Sequence, residues 1–150
     1  MDEENKDDQS TYTHRLFIGI VGLLLPLLLW LISGGRPIPP LSPWTPLESI
    51  SVYYYTGAAS FFTGALGALA AFLFSYRGYN NSYGCRDRLA TRIAGVAAVL
   101  VALFPTGAPH DSLTLSWWAP YMAIIHSISA TVLFCSFSFF CLLQFPLSDP

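Results

Sequence analysis

Apolar residues in this chain gather into four long runs, separated by intervals rich in proline, glycine or charge. The first run, Leu16 to Ile32 (LFIGIVGLLLPLLLWLI), is almost uniformly apolar for 17 residues, the lower end of the length that spans a bilayer. Pro26 inside it predicts a kink, which neighbouring helices tolerate in a membrane. The second run, about 55–76, carries Ser60, Gly64 and Ala68 at intervals of four, with Gly67 and Ala71 repeating the spacing. That stripe of small residues predicts close packing against another helix, leaving Phe61, Phe62, Leu66, Leu69, Phe72 and Leu73 for lipid or bulkier contacts. The third run, about 89–104, has a ladder of its own in Ala90, Ala94, Ala98 and Ala102, so the second and third runs are expected to pair as an antiparallel hairpin. The fourth, about 121–143, is apolar but seeded with serines and threonine.

The expected architecture is therefore all-α, a polytopic membrane protein with a four-helix transmembrane bundle. Its parts are one domain over 16–146, a disordered acidic tail over 1–15 (MDEENKDDQSTYTHR) and a short tail over 147–150. A signal peptide is the competing reading of the first run. The acidic residues that lead into it and the weak Ser33-Gly34-Gly35 exit favour an uncleaved helix instead. Residues 34–46 (GGRPIPPLSPWTP) hold five prolines and two glycines, which exclude regular helix and predict a rigid connection with Trp44 as an interfacial anchor.

Composition strengthens the membrane reading. Charged residues are 11% of the chain against 53% hydrophobic, with mean hydropathy +0.50; a soluble domain carries about 25% charged residues. The net charge of -2 says little, because five of the nine acidic residues lie within the first eight positions, and it gives no case for a nucleic-acid partner. Orientation follows from the loop Arg77 to Arg92, where Arg77, Arg86, Arg88 and Arg92 face Asp87 alone. Short arginine-rich loops stay cytoplasmic. The chain is thus expected in the cell membrane with both termini cytoplasmic; the arginines act as a topology and lipid anchor. Three cysteines cannot all pair, and Cys135 and Cys141 read as buried or lipid-facing thiols.

Few groups remain for chemistry. Outside the tails and the arginine loop, the ionisable residues are Arg36, Glu48, His110, Asp111 and His126, all at the outer end of the expected bundle. An ionisable side chain within a crossing is costly, so His126 is the residue that most invites a function. At about 100° per residue it shares a face with Met122, Ser129, Leu133 and Ser136, a mildly polar stripe expected to face the bundle. The plainer reading is that neutral His126 bonds a carbonyl or hydroxyl and joins helices. The expected outer-face polar cluster is Glu48, Ser49, Ser51, Tyr54, His110, Asp111, His126 and Ser129. No HExxH, GxSxG, phosphate-binding glycine loop or Ser/Lys pair occurs.

SISVYYYTG, FFTGALGALAAFLFSYRGY, DRLATRIAGVAAVLVALFPTG and HSISATVLFCSFSFFCLLQF, in that order, resemble a group of bacterial integral-membrane proteins of unknown function. The resemblance implies a membrane bundle whose outer polar pattern includes Ser49, Ser51, Tyr54, Pro105, Thr106 and His126. A fainter similarity is to the ceramidase-like membrane hydrolases, which hold zinc with histidines one turn apart; Ala130 stands where the second is needed. The expectation drawn from all of this is a protein, not an enzyme in the first instance, that binds a lipid, a small ligand or a membrane partner at its outer face. Its partners would be membrane lipid, itself or another membrane protein, and it would need no cofactor or metal. One alternative is a zinc-assisted hydrolase of a lipid amide or ester, using His110, His126, Asp111 and Glu48. A third is a subunit of a proton-coupled transporter.

Overall fold

The structure, a computed structural model, describes residues 2–34, 44–76, 84–107 and 119–144; their regular structure is all helical, with no strand among them. Helix α1 is Asp2–Ser33, α2 is Ala59–Ser75, α3 is Gly84–Leu103 and α4 is Pro120–Phe139, the last followed by a π turn, Phe140–Gln144. A 3₁₀ helix, Ile50–Tyr55, precedes α2.

Helix α1 departs from expectation at its start, running back to Asp2 through residues read as a disordered tail. Nothing before Pro26 interrupts it, since the leading segment holds neither proline nor glycine up to Gly19, and acidic residues near a helix N-terminus oppose its positive dipole end. Helix α2 begins later than the pattern suggested. Ile50 and Val52 are β-branched and three tyrosines follow, a poor helical mix that settles into a 3₁₀ turn. Thr56 then separates the two elements: its hydroxyl donates to the Tyr53 carbonyl at 2.7 Å and accepts from the Ala58 N–H at 3.0 Å. Helix α3 starts at Gly84, so Arg86, Arg88 and Arg92 stand exposed on its first turns and not in a loop. Helix α4 opens with Pro120 at its first position, where the missing N–H costs nothing.

Among the described residues the helices pack in chain order, α1 on α2, α2 on α3 and α3 on α4, with no further pair of α-helices in more than marginal contact. The array is therefore an open row with α2 and α3 inside it. Helix α3 packs extensively on both α2 and α4, whereas α1 touches α2 only lightly, and α3 accordingly buries Ala94, Ala97, Ala98 and Val101 and holds Gly95 against the Phe74 ring. The expected alanine ladder is thus an interface.

The stripe on α2 is not. Ser60, Gly64, Ala68, Gly67 and Ala71 are all exposed, and a Cβ at Gly64 or Gly67 would meet nothing within 4 Å. Instead the bulky side faces inward, Phe62, Leu66, Ala70 and Leu73 filling the space that the α3 alanines leave. Two small faces cannot close a core without voids; large against small can.

Helix α1 is held at its C-terminal end by an aromatic latch. The Trp30 indole N–H donates to the Trp44 carbonyl at 3.0 Å, the two rings meet edge to face with centroids 5.6 Å apart, and the Trp44 N–H donates to the Gly34 carbonyl at 3.2 Å. These contacts hold Trp44 in the left-handed region at φ 65°, a conformation that costs a non-glycine residue about 1 kcal/mol. They also leave no room at Gly34, where a Cβ would sit 2.3 Å from the Trp44 ring. Gly34→Ala is expected to displace that ring and destabilise the protein by about 1–3 kcal/mol, read as a lowered unfolding midpoint in detergent.

Large apolar side chains are exposed on every helix. Examples are Leu23 (79%), Leu27 and Leu31 on α1, Phe61 and Phe74 on α2, Leu89 and Val96 on α3, and Ile124, Ile128 and Phe134 on α4. Among the described residues one helix, Pro120–Leu143, is long and apolar enough to cross a membrane, with mean hydropathy 1.8. Gly19–Ser33 and Ala59–Ser75 are shorter apolar helices. The arginines of α3 shorten its own apolar run.

Candidate functional site

One end of the array gathers the C-terminal ends of α1 and α3, the approach to α2 and the first turns of α4. Helix α3 stops here for a local reason. Pro105 cannot supply an N–H to continue the ladder, so the last carbonyls of α3 need donors from elsewhere. His126, two turns into α4 and 3% exposed, supplies one: its Nδ1 lies 2.7 Å from the Phe104 carbonyl oxygen. The Tyr55 hydroxyl supplies another, donating to the Thr106 carbonyl. The stretch Phe104–Thr106 is thus clamped from both sides, with Pro105 buried between.

The other ring nitrogen of His126, Nε2, lies 2.9 Å from Ser51 Oγ. The pairing fixes the tautomer by elimination. A carbonyl oxygen only accepts, so Nδ1 carries the hydrogen; in the neutral ring Nε2 is then bare and accepts the Ser51 hydroxyl proton. A buried polar ring left unpaired costs about 1–3 kcal/mol, and here both nitrogens are satisfied. Three segments far apart in the chain, at Ser51, Phe104 and His126, meet through one side chain.

Of the eight residues expected in the polar cluster, the structure joins two directly, Ser51 and His126. Ser129 is buried on the same face of α4, one turn on. Tyr54 turns into the core, half-buried, its ring edge to face with Phe62 at 6.5 Å. Glu48 and Ser49 are exposed and line a different feature, an open groove of about 320 Å³ between α1 and the approach to the 3₁₀ helix, walled by Pro26, Trp30, Leu47 and Tyr53. His110 and Asp111 lie outside the described residues, as do Arg36 and Arg77. Among the described residues no three His, Cys, Asp or Glu side chains come together as a metal site, and Cys135 and Cys141 are free and exposed.

Sequence reasoning missed the Phe104 carbonyl, the Tyr55 clamp and the groove. A backbone acceptor leaves no mark in residue type, although the Leu-Phe-Pro-Thr stop does announce a helix end with carbonyls to satisfy. Two other serines of α4 are spent locally: Ser136 and Ser138 return their hydroxyls to the carbonyls of Val132 and Phe134, as Thr131 does to that of Ser127. Compared with models of known protein families, with curated proteins and with solved structures, the chain matches none.

Proposed function

We propose that the chain is a multi-pass protein of the bacterial inner membrane, crossing four times with both termini cytoplasmic, that receives a membrane-borne amphiphile at its outer end. The observation that carries this reading is the distribution of polarity: every helix turns large apolar side chains outward, while His126 and Ser129 are inside. A soluble protein with that surface would aggregate. In a bilayer it is the ordinary arrangement, because lipid tails cover it. Helix α4 supports the same conclusion, since only 22% of its most apolar window is buried, unlike the core helix of a soluble domain.

Orientation rests on charge. Exposed Arg86, Arg88 and Arg92 stand on the first turns of α3, and its last turn reaches the Ser51–His126 end, roughly 18–27 Å away at 1.5 Å per residue. With the arginines cytoplasmic, Ser51, His126 and the Glu48 groove lie outside. The groove, apolar apart from Glu48 and Ser49 at its rim, suits the tail and backbone of a lipid or small amphiphile. Its partners are membrane lipid and, along the exposed stripe of α2, a helix of a second copy or of another membrane protein. The resemblance to the bacterial membrane group fits this placement, because Ser51, Thr106 and His126 of its shared pattern come together at that end.

The zinc-hydrolase alternative is weighed against the hydrogen bonds that His126 already makes. Both nitrogens of His126 are engaged, so a metal there has to displace either the Phe104 carbonyl or Ser51. The proton-transport alternative has, among the residues whose burial is described, only His126 and the phenol of Tyr53 as buried ionisable groups.

The test is membrane retention followed by native mass spectrometry. After an alkaline carbonate wash the full-length protein is expected to stay with the membrane, and after mild detergent extraction to carry a copurified lipid or partner. Release by the wash overturns the membrane reading; a retained but bare, partnerless chain overturns the binding reading.

A further inference from the structure

We propose that Ser51 is a nucleophile, activated by His126 as general base and oriented through it by the Phe104 carbonyl, and that it takes the acyl group of an ester-linked amphiphile. The proposal takes its substrate class from the membrane reading above, but its chemistry from the geometry alone.

Three features carry it. The Ser51 Oγ to Nε2 distance of 2.9 Å is within the range in which an imidazole removes a hydroxyl proton. The second nitrogen is fixed at 2.7 Å on a carbonyl that only accepts, so the ring presents its basic nitrogen to Ser51 and cannot offer the wrong tautomer. The orienting carbonyl is itself held in place, because Pro105 is buried and Tyr55 anchors Thr106. Nucleophile, base and orienter thus form the same chain of hydrogen bonds that serine hydrolases use, with a backbone carbonyl where they place a carboxylate. Ser51 is half-buried and not sealed, so an acyl carbon can approach it, while His126 is shielded from water.

The carbonyl also sets the substrate class. The Phe104 carbonyl is neutral, so it orients the ring but brings no carboxylate charge to the imidazolium that forms in the reaction. That arrangement suits an ester, whose alcohol leaves readily, better than an amide. In the first step Ser51 Oγ bonds to the ester carbon as its proton passes to Nε2; the C–O bond to the alcohol then breaks and the same proton goes to the departing oxygen. A water molecule, its proton taken by Nε2, then attacks the acyl-serine, and Ser51 regains its hydrogen as the carboxylic acid leaves. No oxidant, reductant or metal is needed to balance either step.

The experiment uses the full-length protein in detergent and a fluorophosphonate probe, whose phosphorus bonds to a nucleophilic serine with loss of fluoride. Exposed Ser49, two residues away, is the internal control. Peptide mapping is expected to find one adduct per chain at Ser51, formed at least about 10²-fold faster than any at Ser49, the usual contribution of a positioned base. Ser51→Ala is expected to abolish it. No adduct at Ser51 in wild-type protein that still unfolds cooperatively, or labelling of Ser49 at an equal rate, overturns the proposal. The two readings fail separately: a chain released by carbonate that still labels at Ser51 loses its membrane substrate and keeps its nucleophile, whereas one retained in the membrane and unlabelled does the reverse.

Discussion

His126→Leu is expected to destabilise the protein by about 2–4 kcal/mol, one of the two largest losses available to a single substitution here. Leucine nearly preserves the volume, so the cost is not a cavity. It comes from the two groups left behind, the Phe104 carbonyl at the end of α3 and the Ser51 hydroxyl on the 3₁₀ helix, which His126 joins at 2.7 and 2.9 Å. An orphaned buried acceptor costs about 1–3 kcal/mol, and the lost bond adds about 1 more. The effect is also non-local, because one ring ties α4 both to α3 and to the segment before α2. Urea unfolding in detergent should show a lowered midpoint, with the approach to α2 exchanging its amide hydrogens earlier than the α2–α3 core. A midpoint unchanged within about 0.5 kcal/mol would mean that the ring is dispensable and that water takes its place.

How far the sequence foretold this depends on the kind of interaction. The four apolar runs became four helices because a helix pairs the backbone groups of a long apolar stretch within the stretch itself, and Pro26, the one proline inside a run, did not end α1. His126 was legible for the opposite reason, as an ionisable residue in a run where nothing else is charged. Its partner Ser51 stood among eight expected residues with nothing to mark it out, since the distance of 75 positions is closed only by tertiary packing. The Phe104 carbonyl was illegible altogether. Boundaries moved where polar residues sat at an element's edge: Arg86 and Arg88 are good helix formers, so α3 absorbed part of the arginine loop, and the tyrosines before α2 went into a 3₁₀ turn.

The stripe on α2 is the instructive failure, and it yields the second large effect. A spacing of four small residues says that a helix backbone can be approached closely, not that it is. On α3 the same spacing lies between two neighbours, and Ala98 is fully buried against the bulky side of α2. Ala98→Leu therefore adds three carbon atoms where no space exists, and a loss of about 3 kcal/mol or outright misfolding is expected, seen as a lowered melting temperature or loss of a monodisperse peak. Gly64→Leu makes the larger change in side-chain size and is expected to cost nothing in the fold, since a Cβ there meets open space and leucine favours helix over glycine by about 0.8–1 kcal/mol. If instead Gly64→Leu unfolds the chain and Ala98→Leu does not, the faces of α2 and α3 are assigned the wrong way round. With the fold intact, any change in particle size caused by Gly64→Leu reports on the outer side of α2 alone, and so separates what holds one chain together from anything that side of α2 docks against.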